Sequence, residues 1–246
     1  MDLTLINERR NNSIFTDGKK TFKIFNKGYK KTDVFLESYI TSIMEEDKIN
    51  VPKIKEVYKK DNQWTFEFQK IEGESLYTKI QNDPDNIDEY LDLFVKIQTD
   101  IHKHKAPQLP IQKEKLTNYI KLSNLDKTLK DDILDMLNAS PKHKKVCHGN
   151  LTPHNVYIND EGEPFILDWN HASQGNASAD VARTFLWIQI NMPQYADSYL
   201  QKFCDATNTT SRYVKNWIPI VAAARLSKNI PEEMRFLTSL ISVIEY

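Results

Sequence analysis

Glycine is scarce in this chain, six in 246 residues, and cysteine scarcer, with Cys147 and Cys204 the only two. Two thiols cannot build a disulfide framework, and neither lies in a CxxC pair or a Cys/His ligand cluster. A reducing compartment fits. No apolar run approaches the roughly 20 residues that a bilayer-spanning helix needs; the longest, Trp217–Ala224, contains a proline. Met1-Asp2-Leu3-Thr4 has neither the basic nor the apolar region of a secretory leader, so a cytoplasmic protein without membrane attachment is expected. An excess of one charge is missing too: 33 Lys and Arg stand against 34 Asp and Glu, a formal net charge of −1. No whole-molecule field recruits nucleic acid or anionic lipid, and any charged ligand must be caught by local groups. The lysine runs, Lys142–Lys145 among them, are scattered and read as solvated turns.

What remains is the make-up of an ordinary globule, 40% hydrophobic and 27% charged. The length suits one compact α+β protein of two lobes, with no internal repeat. The first seventy residues read as short strands and turns. Ser13–Phe15 and Lys20–Phe25 flank Thr16-Asp17-Gly18 as a hairpin. Lys31–Glu46 carries Val34, Phe35, Tyr39, Ile40 and Ile43 at helical spacing, which leaves Glu37 and Glu45 off the buried stripe. Ile54–Tyr58 and Trp64–Phe68 are two further strands. After Gly73 the pattern turns helical: Ile87–His104, Lys130–Asn138, Val181–Ile190, Tyr195–Cys204, Tyr213–Leu226 and Glu232–Ile244. One interruption stands out, a hairpin of Val156–Ile158 and Phe165–Leu167 around Asn159-Asp160-Glu161-Gly162. The expected division is a β-rich lobe over residues 1–72 and a mainly helical lobe over 73–246.

The polar residues gather at the two ends of that hairpin: His148-Gly149-Asn150-Leu151-Thr152-Pro153-His154-Asn155 before it, and Leu167-Asp168-Trp169 after it. Phosphoryl transfer asks for such a grouping. Its transition state is loose, so a protein mainly positions the reactants and holds Mg²⁺ through a carboxylate and an amide on adjacent loops. Asp168, directly after a strand, suits a ligand aimed into a cleft; the plainer alternative is an aspartate capping a turn.

HGNLTPHN resembles the HGDxxxxN loop of aminoglycoside phosphotransferases and choline-type kinases, a family with a protein-kinase-like fold, and the resemblance covers nearly the whole chain. It implies a metal pair of Asn155 and Asp168, a brace for the loop at Asp180, and a structural role for His148. Lys23 in Thr21-Phe22-Lys23-Ile24-Phe25 is similar in place to the family lysine that holds the α- and β-phosphates, with Glu37 its ion-pair partner. Phe66–Leu76 resembles the hinge that meets adenine through its backbone near Gln69, Lys70 and Ile71. The implied ligands are ATP or GTP with Mg²⁺, and the implied partner is a small hydroxyl-bearing substrate.

Two departures bear on activity. Asn150 stands where active members carry the aspartate that accepts the substrate proton. An amide orients a hydroxyl but takes no proton, and losing a general base commonly costs about 10²–10⁴ in rate. Either positioning alone supports transfer, or the chain is a nucleotide-binding pseudokinase; a plain interaction module without nucleotide is a third reading. Second, Glu8-Arg9-Arg10-Asn11-Asn12 replaces a glycine-rich phosphate loop, and Arg9 and Arg10 read either as side-chain phosphate ligands or as a solvated turn. His154 and His171 read as incidental, and Trp64, Trp169, Trp187 and Trp217 as core or cleft-wall aromatics. Aminoglycosides are polycations that demand acidic groups; the adjacent pair Glu232-Glu233 is equally explained by a helix N-terminus.

Overall fold

The computed structural model describes residues 3–242; Met1, Asp2 and residues 243–246, including the end of the helix expected to run to Ile244, lie outside the described residues. The chain opens with β1 (Thr4–Glu8), β2 (Asn12–Thr16), β3 (Lys20–Phe25), α1 (Lys31–Glu46), β4 (Ile54–Lys60), β5 (Gln63–Gln69), β6 (Gly73–Ser75) and α2 (Leu76–Asn82). It continues through α3 (Ile87–Ile101), α4 (Gln112–Leu122), α5 (Lys127–Ala139) and β7 (Lys145–Cys147) to the hairpin β8 (Val156–Asn159) and β9 (Pro164–Ile166). It ends with β10 (Ser173–Gly175), α6 (Ala177–Asn191), α7 (Ala196–Thr207), α8 (Ser211–Lys215), α9 (Ile218–Leu226) and α10 (Pro231–Ser242). Two compact units share these elements.

The first unit is the chain through Pro84 together with Pro153–Asn170, so the β8–β9 hairpin packs here, whereas composition groups it with the helical remainder. Its main sheet is antiparallel in the order β1-β2-β3-β5-β4. Alternation along the pleat puts Lys23 and Phe25 of β3 on one face, and cross-strand pairing sets Phe66 of β5 opposite Lys23. That face meets α1: Phe25, Phe66 and Val34 form the fully buried heart, with Tyr29, Val57, Trp64 and Phe68 packed around it.

The buried stripe of α1 differs from its apolar pattern. Val34, Glu37, Ile40, Thr41, Ile43 and Met44 face inward, while Phe35 and Tyr39 are 46% and 51% exposed. Glu37 is buried because β3 presents a cation to it, and an ion pair inside the sheet–helix layer outweighs the apolar signal of the helix. The expected strands are present with small shifts in their ends, and β1, whose residues are all exposed, is an addition to them. A second sheet, in the order β6-β8-β9, is flanked in the chain by Asn155 before β8 and Asp168 after β9. Gly73 is required in it, since a Cβ there would lie 2.1 Å from the Ile158 carbonyl oxygen.

The second unit is Asp85–Thr152 with the chain from His171 onward. It is helical apart from the antiparallel pair β7–β10. The helix expected over Tyr213–Leu226 is two helices, α8 and α9. Pro219 sits at the start of α9, where its missing N–H costs nothing; deeper in a helix it would break the ladder. Helix α4, unmarked by strong periodicity, packs against α9 and α5. Among the described residues no helix is long and apolar enough to cross a membrane.

Candidate active site

Within the first unit, a cavity of about 540 Å³ is lined by Arg9, Lys23, Glu37, His154 and Asp168 and by the Gln69–Ile71 segment. That volume falls in the range of small-molecule and cofactor sites. The sheet ladder ends where Gln69 pairs with Lys20, so the backbone of Lys70 and Ile71 leaves the sheet at the cavity wall. Lys70 Nζ is held on the Gly18 carbonyl at 3.3 Å and near Glu72 at 2.8 Å.

Lys23 is the hub. Its Nζ donates to Glu37 Oε1 at 2.5 Å and to Asp168 Oδ1 at 2.9 Å. Burial works against its charge, but the carboxylates of Asp168 and Glu37 outweigh that and hold the ammonium above the ordinary lysine range. Burial raises Glu37 above the usual carboxylate range against the pull of Lys23. Its second oxygen, Oε2, is buried without a hydrogen bond.

Asp168 follows β9 by two residues with φ of +67°, a left-handed backbone that costs most residues about 1–2 kcal/mol and that aspartate tolerates better than most. Its Oδ2 meets Arg9 Nη1 at 3.1 Å. The solvated-turn reading of Arg9 is therefore wrong. The β1–β2 turn, closed by Arg9 N–H donating to the Asn12 carbonyl at 2.9 Å, carries the guanidinium to the cavity instead of to water. Asp168 thus balances two cationic side chains on the cavity wall. Asn155 is 4% exposed and is not in the cavity wall. It lies at the base of β8, where its carbonyl accepts from Leu167 N–H at 2.8 Å, next to Asp168 in the chain. His154, incidental by sequence, stacks on Tyr77 with ring centroids 3.8 Å apart and lines the cavity.

The remaining predicted residue, Asn150, belongs to the second unit and is tied there by α6. Three side chains from one face of that helix hold the loop. Asp180 Oδ1 accepts from Gly149 N–H at 2.6 Å and its Oδ2 from His148 N–H at 3.2 Å. Arg183 Nη2 donates to Asn150 Oδ1 at 2.9 Å, and Thr184 Oγ1 to the Leu151 carbonyl at 2.9 Å. His102 Nε2 lies 3.0 Å from Asp180 Oδ2. Burial disfavours the Asp180 carboxylate, but His102 and the loop amides reverse this and keep its pKa below the ordinary value. Fully buried His148 accepts Asn150 N–H on Nδ1 at 3.2 Å, a scaffold contact. Gly149 has φ of +77°, and a Cβ there would lie 2.4 Å from the His171 carbonyl oxygen. His102, Cys147 and Asp180 bring ligand-type atoms within 4.8 Å of one another. The hydrogen bonds just described engage Asp180 in bracing the loop, and burial raises the Cys147 thiol well above its usual range.

The model of the phosphotransferase enzyme family matches residues 3–213. No curated protein matches the chain. Among solved structures, a thermostable mutant of aminoglycoside phosphotransferase APH(4)-Ia is similar with a TM-score of 0.72 at 14% identity, over 100% of this chain and 96% of that one. Choline kinase LicA from Streptococcus pneumoniae is similar with a TM-score of 0.70 at 14% identity, over 99% and 94%. A ternary complex of a thermostable APH(4)-Ia mutant with ADP and hygromycin B gives 0.70 at 12%, over 99% and 92%. At such identities the likeness establishes the fold, a kinase-like α+β architecture. The family match, spanning most of the 246 residues, makes this chain a member of the phosphotransferase enzyme family.

Proposed function

We propose that this chain is a small-molecule kinase, an ATP- or GTP-dependent phosphotransferase that passes a γ-phosphoryl group to a hydroxyl of a small acceptor. The observation that carries the reading is the Lys23, Glu37, Asp168 and Arg9 network on the wall of one 540 Å³ cavity that also includes Gln69–Ile71. Solved structures of similar fold contain ADP, in the ternary complex above, and AMP, in LicA.

In this reading the Gln69–Ile71 backbone meets the base, and Lys23 binds the α- and β-phosphates while Glu37 fixes its position. Arg9 supplies by side chain the phosphate contact that a glycine-rich turn supplies by amides. Asp168, on the cavity wall, would hold Mg²⁺, which would neutralise phosphate charge; Asn155, buried behind that wall, would join it as second donor only by turning its amide toward the cavity. The fit rests on the donor set: Asp168 already balances two cations that phosphates would draw away. The acceptor hydroxyl oxygen bonds to the γ-phosphorus as the bond to the β,γ-bridging oxygen breaks, its electron pair leaving with the nucleoside diphosphate. The hydroxyl proton passes to a phosphoryl oxygen or to water. Asn150, its amide fixed by Arg183, orients the hydroxyl and takes no proton. Without a base the rate falls about 10²–10⁴ below that of an aspartate enzyme.

That same Arg183 contact favours a second reading, a pseudokinase that binds nucleotide and transfers nothing, since the amide is engaged structurally. Transfer from γ-labelled ATP to a panel of sugars, amino alcohols, hydroxy acids and aminoglycosides separates the two. Slow labelling of one acceptor class, lost in Lys23→Met, supports the kinase; a silent parent that gains activity as Asn150→Asp supports the pseudokinase.

A further inference from the structure

The cavity beside Asn150, about 90 Å³ and wholly within the second unit, is walled by cations: Lys115 of α4, Arg183 of α6, Arg225 of α9 and Lys228 just beyond it. Asp180 is the one carboxylate in that wall, and its oxygens are spent on His102 and the loop amides. Arg225 is held by Glu233 in a two-pronged pair at 2.7 and 2.7 Å. Glu233, at the start of α10, thus serves an arginine. Lys115 and Arg183 are held by neutral groups: Lys115 Nζ donates to the carbonyls of His171 at 2.8 Å and Ala172 at 3.1 Å, and Arg183 to the Asn150 amide.

We propose that this cavity binds the anionic group, a carboxylate or a phosphate, of a small hydroxylated acceptor. The proposal rests on the phosphotransferase reading for the word acceptor and names the substrate class of that site. Guanidinium and ammonium groups sharing one cavity wall match such an anion in sign, and Arg183 and Lys115, held by neutral groups only, keep their charge for it. Burial and neighbouring cations both work against the charge of this wall. Burial and then Lys228 push Lys115 down to about 8, and burial and then Arg225 push Arg183 down to about 9. Asn150 acquires a reason: an aspartate there would pair with Arg183 and cancel part of the field, whereas the amide leaves that charge to the ligand. At roughly 10–15 Å³ per water-sized position the cavity has room for a carboxylate or phosphate on a short carbon chain.

Isothermal titration at low salt, with no nucleotide present, uses four probes: glycerate, glycerol 3-phosphate, neutral glycerol and polycationic kanamycin. At least one anion binds, weakening as salt rises, while glycerol and kanamycin do not; glycerate against glycerol 3-phosphate tells carboxylate from phosphate. Lys228→Glu weakens the anion about tenfold or more, and Lys228→Arg retains it. Lys228 lies past the end of α9 and does not hold the 148–151 loop, so a folded variant is expected, checked by its melting temperature. Silence toward both anions, equal binding of glycerol or kanamycin, or indifference to Lys228→Glu overturns the proposal. A separate transfer assay with ATP keeps the two readings apart. Anion binding with no transfer to any acceptor of the wider panel contradicts the kinase and leaves the anion site standing; transfer to glycerol or kanamycin alone does the reverse.

Discussion

Replacing Lys23 by methionine removes the ammonium that donates to Glu37 and leaves a carboxyl 3% exposed without its cation. Methionine fills similar volume beside Phe25, whose ring centroid lies 5.3 Å from the ammonium, so loss of packing is small. Asp168 keeps Arg9 and is the less affected carboxylate. Glu37 then avoids isolation as an anion by taking a proton. Against its ordinary value of 4.5, holding it neutral at pH 7 costs about 3.4 kcal/mol, at 1.36 kcal/mol for each pH unit. At pH 5 the same cost is about 0.7 kcal/mol. The sign follows from proton counting: the folded variant binds a proton that the unfolded chain has released, so its stability falls as pH rises above 4.5. Urea unfolding of parent and variant at pH 5, 6 and 7, followed by tryptophan fluorescence with Trp64 and Trp169 reporting from this unit, measures the difference. The deficit grows with pH, by at most about 1.4 kcal/mol per pH unit, and flattens in the double variant Lys23→Met/Glu37→Gln. A deficit of the same size at pH 5 and pH 7 refutes the reasoning.

Asp180→Asn removes the buried charge and turns one of its two acceptor oxygens into an NH₂ donor facing a loop amide or His102, and costs about 3 kcal/mol or more at pH 7 by thermal or urea unfolding. Because the folded pKa of Asp180 lies below 3.8, that stabilisation is present above 3.8 and is lost as pH falls through the lower folded value, so parent and variant converge in strong acid. Gly149→Ala adds a Cβ 2.4 Å from a carbonyl oxygen at positive φ and destabilises by at least about 2 kcal/mol, read as a lowered Tm with the 148–151 loop losing amide protection.

Lys23 and Asp168 are legible in the sequence because each sits in or beside a strand of clear alternation, and a strand fixes which way a side chain points. Glu37 is legible as a partner but reads as a surface residue, since amphipathic spacing counts apolar groups and ignores what a buried cation recruits. Arg9 is half legible: its turn can be located, but β1 is exposed throughout and offers no periodic signal to aim the guanidinium. The break at Trp217 follows from Pro219, a signal present in the sequence and overridden by the apolar run around it. Lys115, Arg183, Arg225 and Lys228 are invisible as a group. Each reads alone as a solvated charge, and only the packing of α4, α6 and α9 brings them to one cavity.

Titration of Mg-ATP into the parent and into Asp168→Asn, each with and without EDTA, interrogates the first-unit cavity itself. Binding to the parent that weakens sharply on chelation, with Asp168→Asn losing the metal dependence, is the result expected if Lys23 and Asp168 hold a magnesium nucleotide. No binding at all, or binding indifferent both to EDTA and to Asp168→Asn, contradicts it.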